Sequence, residues 1–287
     1  MLAPSPPLAS PRIGPDEVAA LIEAARRASG ISISTEKHSF LELRVGRRLR
    51  ETGCDDFAAY LDRLRGPGGA EEIRHLVEAV ATHTTSFFRE RPHYDWLEAE
   101  GLAALVEGGA GRAHSLTVWS AACSLGSEMW SAAMVLDRFG ATVPGGLRWN
   151  VVGTDISRRI LRRAAAAVFT EEEITGLPEE LRRRHLLRSR APGRGGTLYR
   201  IAPELRSRAR LAWANLVALD PALSLTADVI FLRNVLIYFE PSDRDRAVAG
   251  VLARLRAGGI LLLGHSECLA DAPRGLRQIA PTIYRKD

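Results

Sequence analysis

The sequence predicts an α/β protein: a mostly parallel, doubly wound sheet, preceded by an all-helical domain and interrupted by a small antiparallel β-subdomain. Three observations predict it. Apolar residues recur at helical spacing through the first third of the chain, four short β-rich runs then alternate with helical segments, and one Gly-rich, charged stretch breaks that alternation.

The Pro-rich residues 1–15 are expected to form a disordered leader, after which Pro15-Asp16-Glu17 supplies the early proline and acidic first turn of a helix. From Asp16 to about Leu105 the apolar faces are Val18, Leu21, Ile22 and Ala25, then Leu41, Val45 and Leu49, then Phe57, Tyr60, Leu61 and Leu64. This predicts a helical domain over 16–105, broken by Gly66-Pro67-Gly68-Gly69. Beyond Ser115, the runs LTVWSAAC, LRWNVVGTDIS, ADVIFLRNVLIYF and GGILLLGHSE read as strands, with helices over 129–139, 158–167 and 243–256 between them. Residues 115–287 are therefore expected to form βαβ units, closed by an antiparallel edge strand over 278–285. The interruption at about 170–213 reads as an insertion holding a hairpin that turns at Gly193–Gly196.

Of the 287 residues, 46% are hydrophobic and 25% charged, which excludes wholesale disorder. No run reaches the roughly 20 apolar residues of a membrane span, and the start lacks the blocks of a signal peptide, so a cytoplasmic protein is expected. Cys54, Cys123 and Cys268 show no CxxC or CxxH spacing, which predicts free, mostly buried thiols and no metal centre. The net charge of +5 includes clusters at Arg44, Arg47, Arg48 and Arg50 and at Arg182, Arg183 and Arg184. Charge alone fits an acidic partner, a nucleic acid, a membrane surface or a solvated helix face.

In a doubly wound sheet, ligands bind beyond the carboxyl ends of the strands. Ala121 to Glu128 is a small-residue loop with Gly126 at the entry to a helix; it is not GxGxxG, which disfavours a dinucleotide, and by itself it equally fits an ordinary turn. Asp155 ends the second strand, where an acid accepts hydrogen bonds from a ribose diol or caps the next helix.

Six ordered motifs carry more than any one: THTTSFFRE at 82–90, WSAACSLGSEMWSAAM at 119–134, TDISRRIL at 154–161, ANL at 214–216, FLRNVLIYF at 231–239 and GGILLLGHSE at 258–267. Together they resemble the CheR-type chemoreceptor glutamate methyltransferases, over about Gly30 to Tyr284. The resemblance implies a Rossmann-like domain, S-adenosylmethionine as cofactor with S-adenosylhomocysteine as product, and methyl transfer to glutamates of methyl-accepting chemoreceptors in chemotaxis-type adaptation. It also implies cofactor contacts from His83, Thr85, Arg89, Glu128, Asp155, Asn215, Leu216, Arg233 and Asn234. Its implied partners are the acidic helical cytoplasmic region of a chemoreceptor, docked on Arg44 to Arg50, and a receptor tail peptide added to the inserted β-subdomain. His83 replaces the family's usual asparagine, and Ser127 replaces one of two acids. Those departures motivate one alternative, a cofactor-binding regulator of the same fold that does not transfer methyl groups. A nucleic-acid methyltransferase is disfavoured because no Asn/Asp-Pro-Pro-aromatic motif is present.

A glutamate carboxylate, with a reference pKa of about 4.3, is ionised at neutral pH, so the reaction needs positioners rather than a strong base. Arg89 is the candidate to grip one carboxylate oxygen, with Tyr238 as a second catalytic candidate that orients the reacting groups. His265 reads as structural.

Overall fold

Pro15, with Asp16 and Glu17 behind it, starts helix α1 (Pro15–Ser29) in the computed structural model, which describes residues 12–34, 36–190, 196–269 and 273–287. Most of the expected leader, and most of the expected turn at 193–196, lie outside the described residues. Contacts divide the chain into one unit ending at Thr82, which also takes in Tyr238–Glu240, and a second formed by His83–Ile237 and Pro241–Asp287.

The first unit adds α2 (His38–Thr52), α3 (Phe57–Arg65) and α4 (Gly69–Val80). Its core is the set that periodicity marked, Val18, Leu21, Ala25, Leu41, Val45, Leu49, Phe57, Tyr60, Leu61 and Leu64, joined by Leu76 and Val80. Ile22 is only partly buried at its edge. The break before α4 requires glycine at 69, since a Cβ there would lie 2.1 Å from the Leu64 carbonyl oxygen. Inside this unit Arg48 donates to both oxygens of Glu72, at 2.9 and 2.8 Å, and the Tyr60 hydroxyl donates to Glu72 at 2.7 Å. The segment Tyr238–Glu240 is tied in by the Ser32 N–H, which donates to the Tyr238 carbonyl at 2.7 Å.

The second unit begins earlier than expected. Helix α5 (Pro92–Trp96), a π-helical turn (Leu97–Gly101) and α6 (Leu102–Glu107) belong to it rather than to the helical domain expected to reach 105. The reason is packing: Tyr94, Leu97, Leu102 and Leu105 share a core with Val118 and Phe231, and helical periodicity marks a buried face without saying which core buries it.

Then follow β1 (Leu116–Ser120), α7 (Ser127–Gly140), β2 (Trp149–Asp155), α8 (Arg158–Ala166), β3 (Val168–Thr170), α9 (Glu179–His185), β4 (Leu186–Arg188), β5 (Leu198–Ile201), α10 (Pro203–Arg206), β6 (Ala209–Trp213), β7 (Ala227–Leu232), α11 (Pro241–Leu252), β8 (Leu255–Leu263), β9 (Leu276–Ala280) and β10 (Ile283–Lys286). Seven strands form one sheet in the order β6-β2-β1-β7-β8-β10-β9, parallel from β6 to β8, with β10 antiparallel to both neighbours. Strand order reverses at β1, which has β2 on one side and β7 on the other, and this is where a doubly wound sheet opens a ligand crevice.

Three boundaries differ from expectation. Ala209–Trp213 is the edge strand of the main sheet rather than part of the insertion, whose own sheet is antiparallel β3-β5-β4; an edge strand with a solvated face dilutes its apolar signal with Arg210. The C-terminal segment supplies two strands, and β10 lies inside the sheet with β9 at the edge. Helix α11 stops at Leu252 because Leu255 already pairs with Ala227. The three cysteines are free, but only Cys123 is buried, Cys54 being half-buried and Cys268 exposed. Among the described residues, no helix is long and apolar enough to cross a membrane.

Candidate active site

The strand ends that flank the reversal carry four of the residues singled out by sequence, Glu128, Asp155, Arg233 and Asn234. After β1 the chain turns through Ser124, at φ 52°, and Gly126, at φ 90°, into α7. Gly126 is needed twice over, because a Cβ there would also meet the Trp130 ring at 3.0 Å. At the end of β2, Asp155 is buried, and its carboxylate accepts the Ser124 and Ser157 N–H groups, each at 2.9 Å. Burial pushes the Asp155 carboxyl above its ordinary pKa. The Ala214 N–H donates to the Asp155 carbonyl at 3.1 Å, which brings Asn215 and the buried Leu216 beside the end of β2. Asn215 accepts the Val217 N–H at 3.2 Å and so caps a short 3-10 turn over Leu216–Ala218.

A buried ionic chain joins β1, α7 and β7. Ser120 donates to Glu128 at 2.6 Å, and the Arg233 Nε donates to the other Glu128 oxygen at 2.8 Å. The Arg233 side chain is 1% exposed and its remaining nitrogens are engaged by protein groups: one meets His93 Nδ1 at 2.8 Å and the other donates to the Arg89 carbonyl at 2.8 Å. Tyr94 and Phe231 each place a ring 5.3 Å from the guanidinium.

Arginine can only donate, so His93 Nδ1 accepts and its proton sits on Nε2, which donates to Thr282 Oγ1 at 2.8 Å. Burial, and secondarily the Arg233 charge, push His93 down to about 4. Between pH 6.5 and 4 the unfolded chain takes up a proton that the folded protein refuses, so stability is full above 6.5 and falls through that window. The expected loss is about 2 kcal/mol after allowance for screening. It is read as a steeper acid fall of the thermal midpoint in the native protein than in His93→Gln, and parallel profiles for the two would refute it.

The segment 83–90 packs across these strand ends. The His83 carbonyl accepts from the Ser124 hydroxyl at 2.9 Å, and the Phe88 N–H donates to Ser131 Oγ at 2.9 Å. Phe88 and Glu90 have φ of 51° and 56°, a conformation that non-glycine residues keep only when their surroundings impose it. Thr85 and Arg89 are half-buried, and the Arg89 guanidinium donates to the Thr84 carbonyl at 3.1 Å. After β7, Asn234 takes φ 55° and its amide donates to Glu90 at 3.3 Å. Ser127, at the start of α7, is buried. Tyr238 closes a 3-10 turn over Leu236–Tyr238, and its contacts assign it to the first unit.

Glu90 and His93 were not singled out from the sequence, although Glu90 closes the FFRE motif; their partners, Arg233 and Thr282, lie 140 or more residues away. Among the described residues, Glu90, His93 and His265 bring ligand-type atoms within 4.8 Å of one another. His93 uses both ring nitrogens on Arg233 and Thr282, so the donor set is already committed.

The donor set does fit S-adenosylmethionine in kind. A carboxylate at the end of β2 suits a ribose diol, Glu128 suits an ammonium, Arg89 a carboxylate, and Asn215 with Leu216 an adenine edge and face.

The switch point of a doubly wound sheet is where such folds bind nucleotide-type ligands. The family model described as the CheR methyltransferase SAM binding domain matches residues 83–285, and that of the CheR methyltransferase all-alpha domain matches 16–81. The chemotaxis protein methyltransferase of Escherichia coli is 31% identical over 89% of this chain and 85% of its own length. The chemotaxis protein methyltransferase 2 of Pseudomonas aeruginosa is 33% identical over 91% and 90%, and the Borreliella burgdorferi chemotaxis protein methyltransferase is 29% identical over 95% and 94%. The chain belongs to the CheR family of S-adenosylmethionine-dependent methyltransferases.

Proposed function

We propose that this methyltransferase forms methyl esters on glutamate side chains of chemoreceptors, with S-adenosylmethionine held across the ends of β1, β2 and β7. The observation that carries this reading is the placement of two buried carboxylates, Asp155 and Glu128, and the half-exposed Arg89 at one end of the sheet. When bound, the cofactor supplies a methyl group already activated by its sulfonium.

The chain's own residues then bind and orient. Asp155 receives the ribose hydroxyls, Glu128 the amino group, and Asn215 and Leu216 the adenine. His83 and Thr85 line the side formed by segment 83–90, and Asn234 the side formed by the turn after β7. Arg233, with its guanidinium buried against Glu128, His93 and the Arg89 carbonyl, acts by holding Glu128 and the backbone of residue 89. Arg89 grips one oxygen of the substrate carboxylate and leaves the other to attack. Alignment of this kind recovers roughly 7–11 kcal/mol of barrier in well-oriented systems.

The acidic helical region of the receptor docks on the exposed side of α2, through Arg44, Arg47 and Arg50 around Leu43, which is 76% exposed. Arg48 is not part of that face, because Glu72 engages it. A receptor tail adds as a strand at an edge of the β3-β5-β4 sheet.

The test is transfer of labelled methyl to purified receptor cytoplasmic fragments. Base-labile label on glutamate, reduced about 100-fold in Arg89→Ala through loss of a charge-assisted pair, is the expected result. Cofactor binding with no transfer to any fragment would overturn it in favour of a non-transferring regulator.

A further inference from the structure

We infer that Glu267 is a positioning residue, whose carboxylate sets the turn after β7 by filling a ring of backbone N–H groups. The inference rests on the reading above, in which that turn lines the cofactor crevice. Glu267 closes the GHSE motif beyond β8 and is buried. One of its oxygens accepts the N–H groups of Asn234 at 2.6 Å and Gly264 at 2.9 Å. The other accepts those of Val235 at 2.8 Å, Leu236 at 2.7 Å and, more weakly, Ile237 at 3.4 Å.

Four consecutive N–H groups at a strand end have no ladder partner, and turned inward they form a concave anion site. Here the anion comes from the chain itself. A carboxylate only accepts and has about four lone-pair sites, so these donors saturate it. Nothing remains with which Glu267 could grip a ligand, which separates its role from that of Glu128 or Asp155. Its effect passes through Asn234, held at φ 55° with its amide on Glu90. The seat is close: a Cβ at Gly264 would lie 2.7 Å from the Glu267 carboxylate and 2.8 Å from the Asn234 amide nitrogen.

Glu267→Gln keeps the size but turns an NH2 group toward N–H donors, whichever oxygen it replaces. The experiment measures calorimetric affinity for S-adenosylhomocysteine, well below the unfolding temperature, together with the thermal midpoint, in Glu267→Gln, Asn234→Gly and Asp228→Asn. Asp228 is the control: it is also buried, and accepts the Thr117 N–H and a His114 nitrogen, both at 2.8 Å, at the opposite end of β7. The expected result is affinity lost about tenfold or more in Glu267→Gln and in Asn234→Gly, with Asp228→Asn unchanged despite a comparable fall in midpoint. Native affinity in Glu267→Gln beside weakened Asn234→Gly would overturn the inference and leave the reading of the turn intact. Native affinity in both would overturn the reading of the turn as well. Equal weakening in Asp228→Asn would reduce the effect to stability and overturn the inference. Should the Gln variant not fold, Glu267→Asp, which keeps the charge but withdraws it by one methylene, takes its place with the same outcomes.

Discussion

Asp155→Asn is expected to weaken S-adenosylmethionine binding about 100-fold, measured by calorimetry. The native carboxylate accepts backbone N–H groups, among them those of Ser124 and Ser157, and as a charged acceptor it suits a ribose hydroxyl as well. Bonds to a charged acceptor contribute about 1.5–3 kcal/mol each. Asparagine removes the charge, and it also sets an NH2 group against one of two buried N–H donors, so the loops after β1 and β2 lose their common anchor. Native affinity in this variant would remove Asp155 from the ribose role. Because burial raises the Asp155 carboxyl, acidification protonates it before an ordinary aspartate, and cofactor affinity is expected to fall with pH in the native protein but not in the Asn variant.

Arg233→Ala is expected to have a larger effect still, abolishing transfer and lowering stability by about 3–5 kcal/mol, the usual result when one member of a buried ion pair is removed. Glu128 would be left charged beside Ser120 without its counterion, the Arg89 carbonyl would lose its donor, and His93 would lose the bond that fixes its tautomer. Arg233→Lys separates charge from shape. A lysine restores the charge but not the planar fork that reaches three partners at 2.8 Å, so it should recover part of the thermal midpoint and little of the transfer. Full activity in the Lys variant would show that the charge alone suffices and would refute the positioning role of the fork.

Much of this was legible in the residue order. The apolar spacing of α1 to α3 marked their buried faces because those faces pack within one small unit. The four β-rich runs marked β1, β2, β7 and β8, buried strands with nearly continuous apolar sequence. Asp155 was found because it ends the second strand, and Glu128 through the resemblance of its loop to the family's. The edge strand β6 and the assignment of α5 and α6 were not legible, since half-solvated strands and helix faces carry no label for the core they join.

The sequence by itself determined the order of the four buried strands and of the first three helices, and the two-part division only approximately, because these follow from local periodicity. Only the tertiary structure decided which charges are paired. Arg48 proved to be paired with Glu72, Arg233 with Glu128, and Glu267 with the turn after β7. A buried charge must find its counterion or its N–H donors wherever the fold brings them, and here Arg233 and Glu128 stand 105 residues apart, His93 and Thr282 189 apart. No local pattern in the chain encodes a partner at that separation.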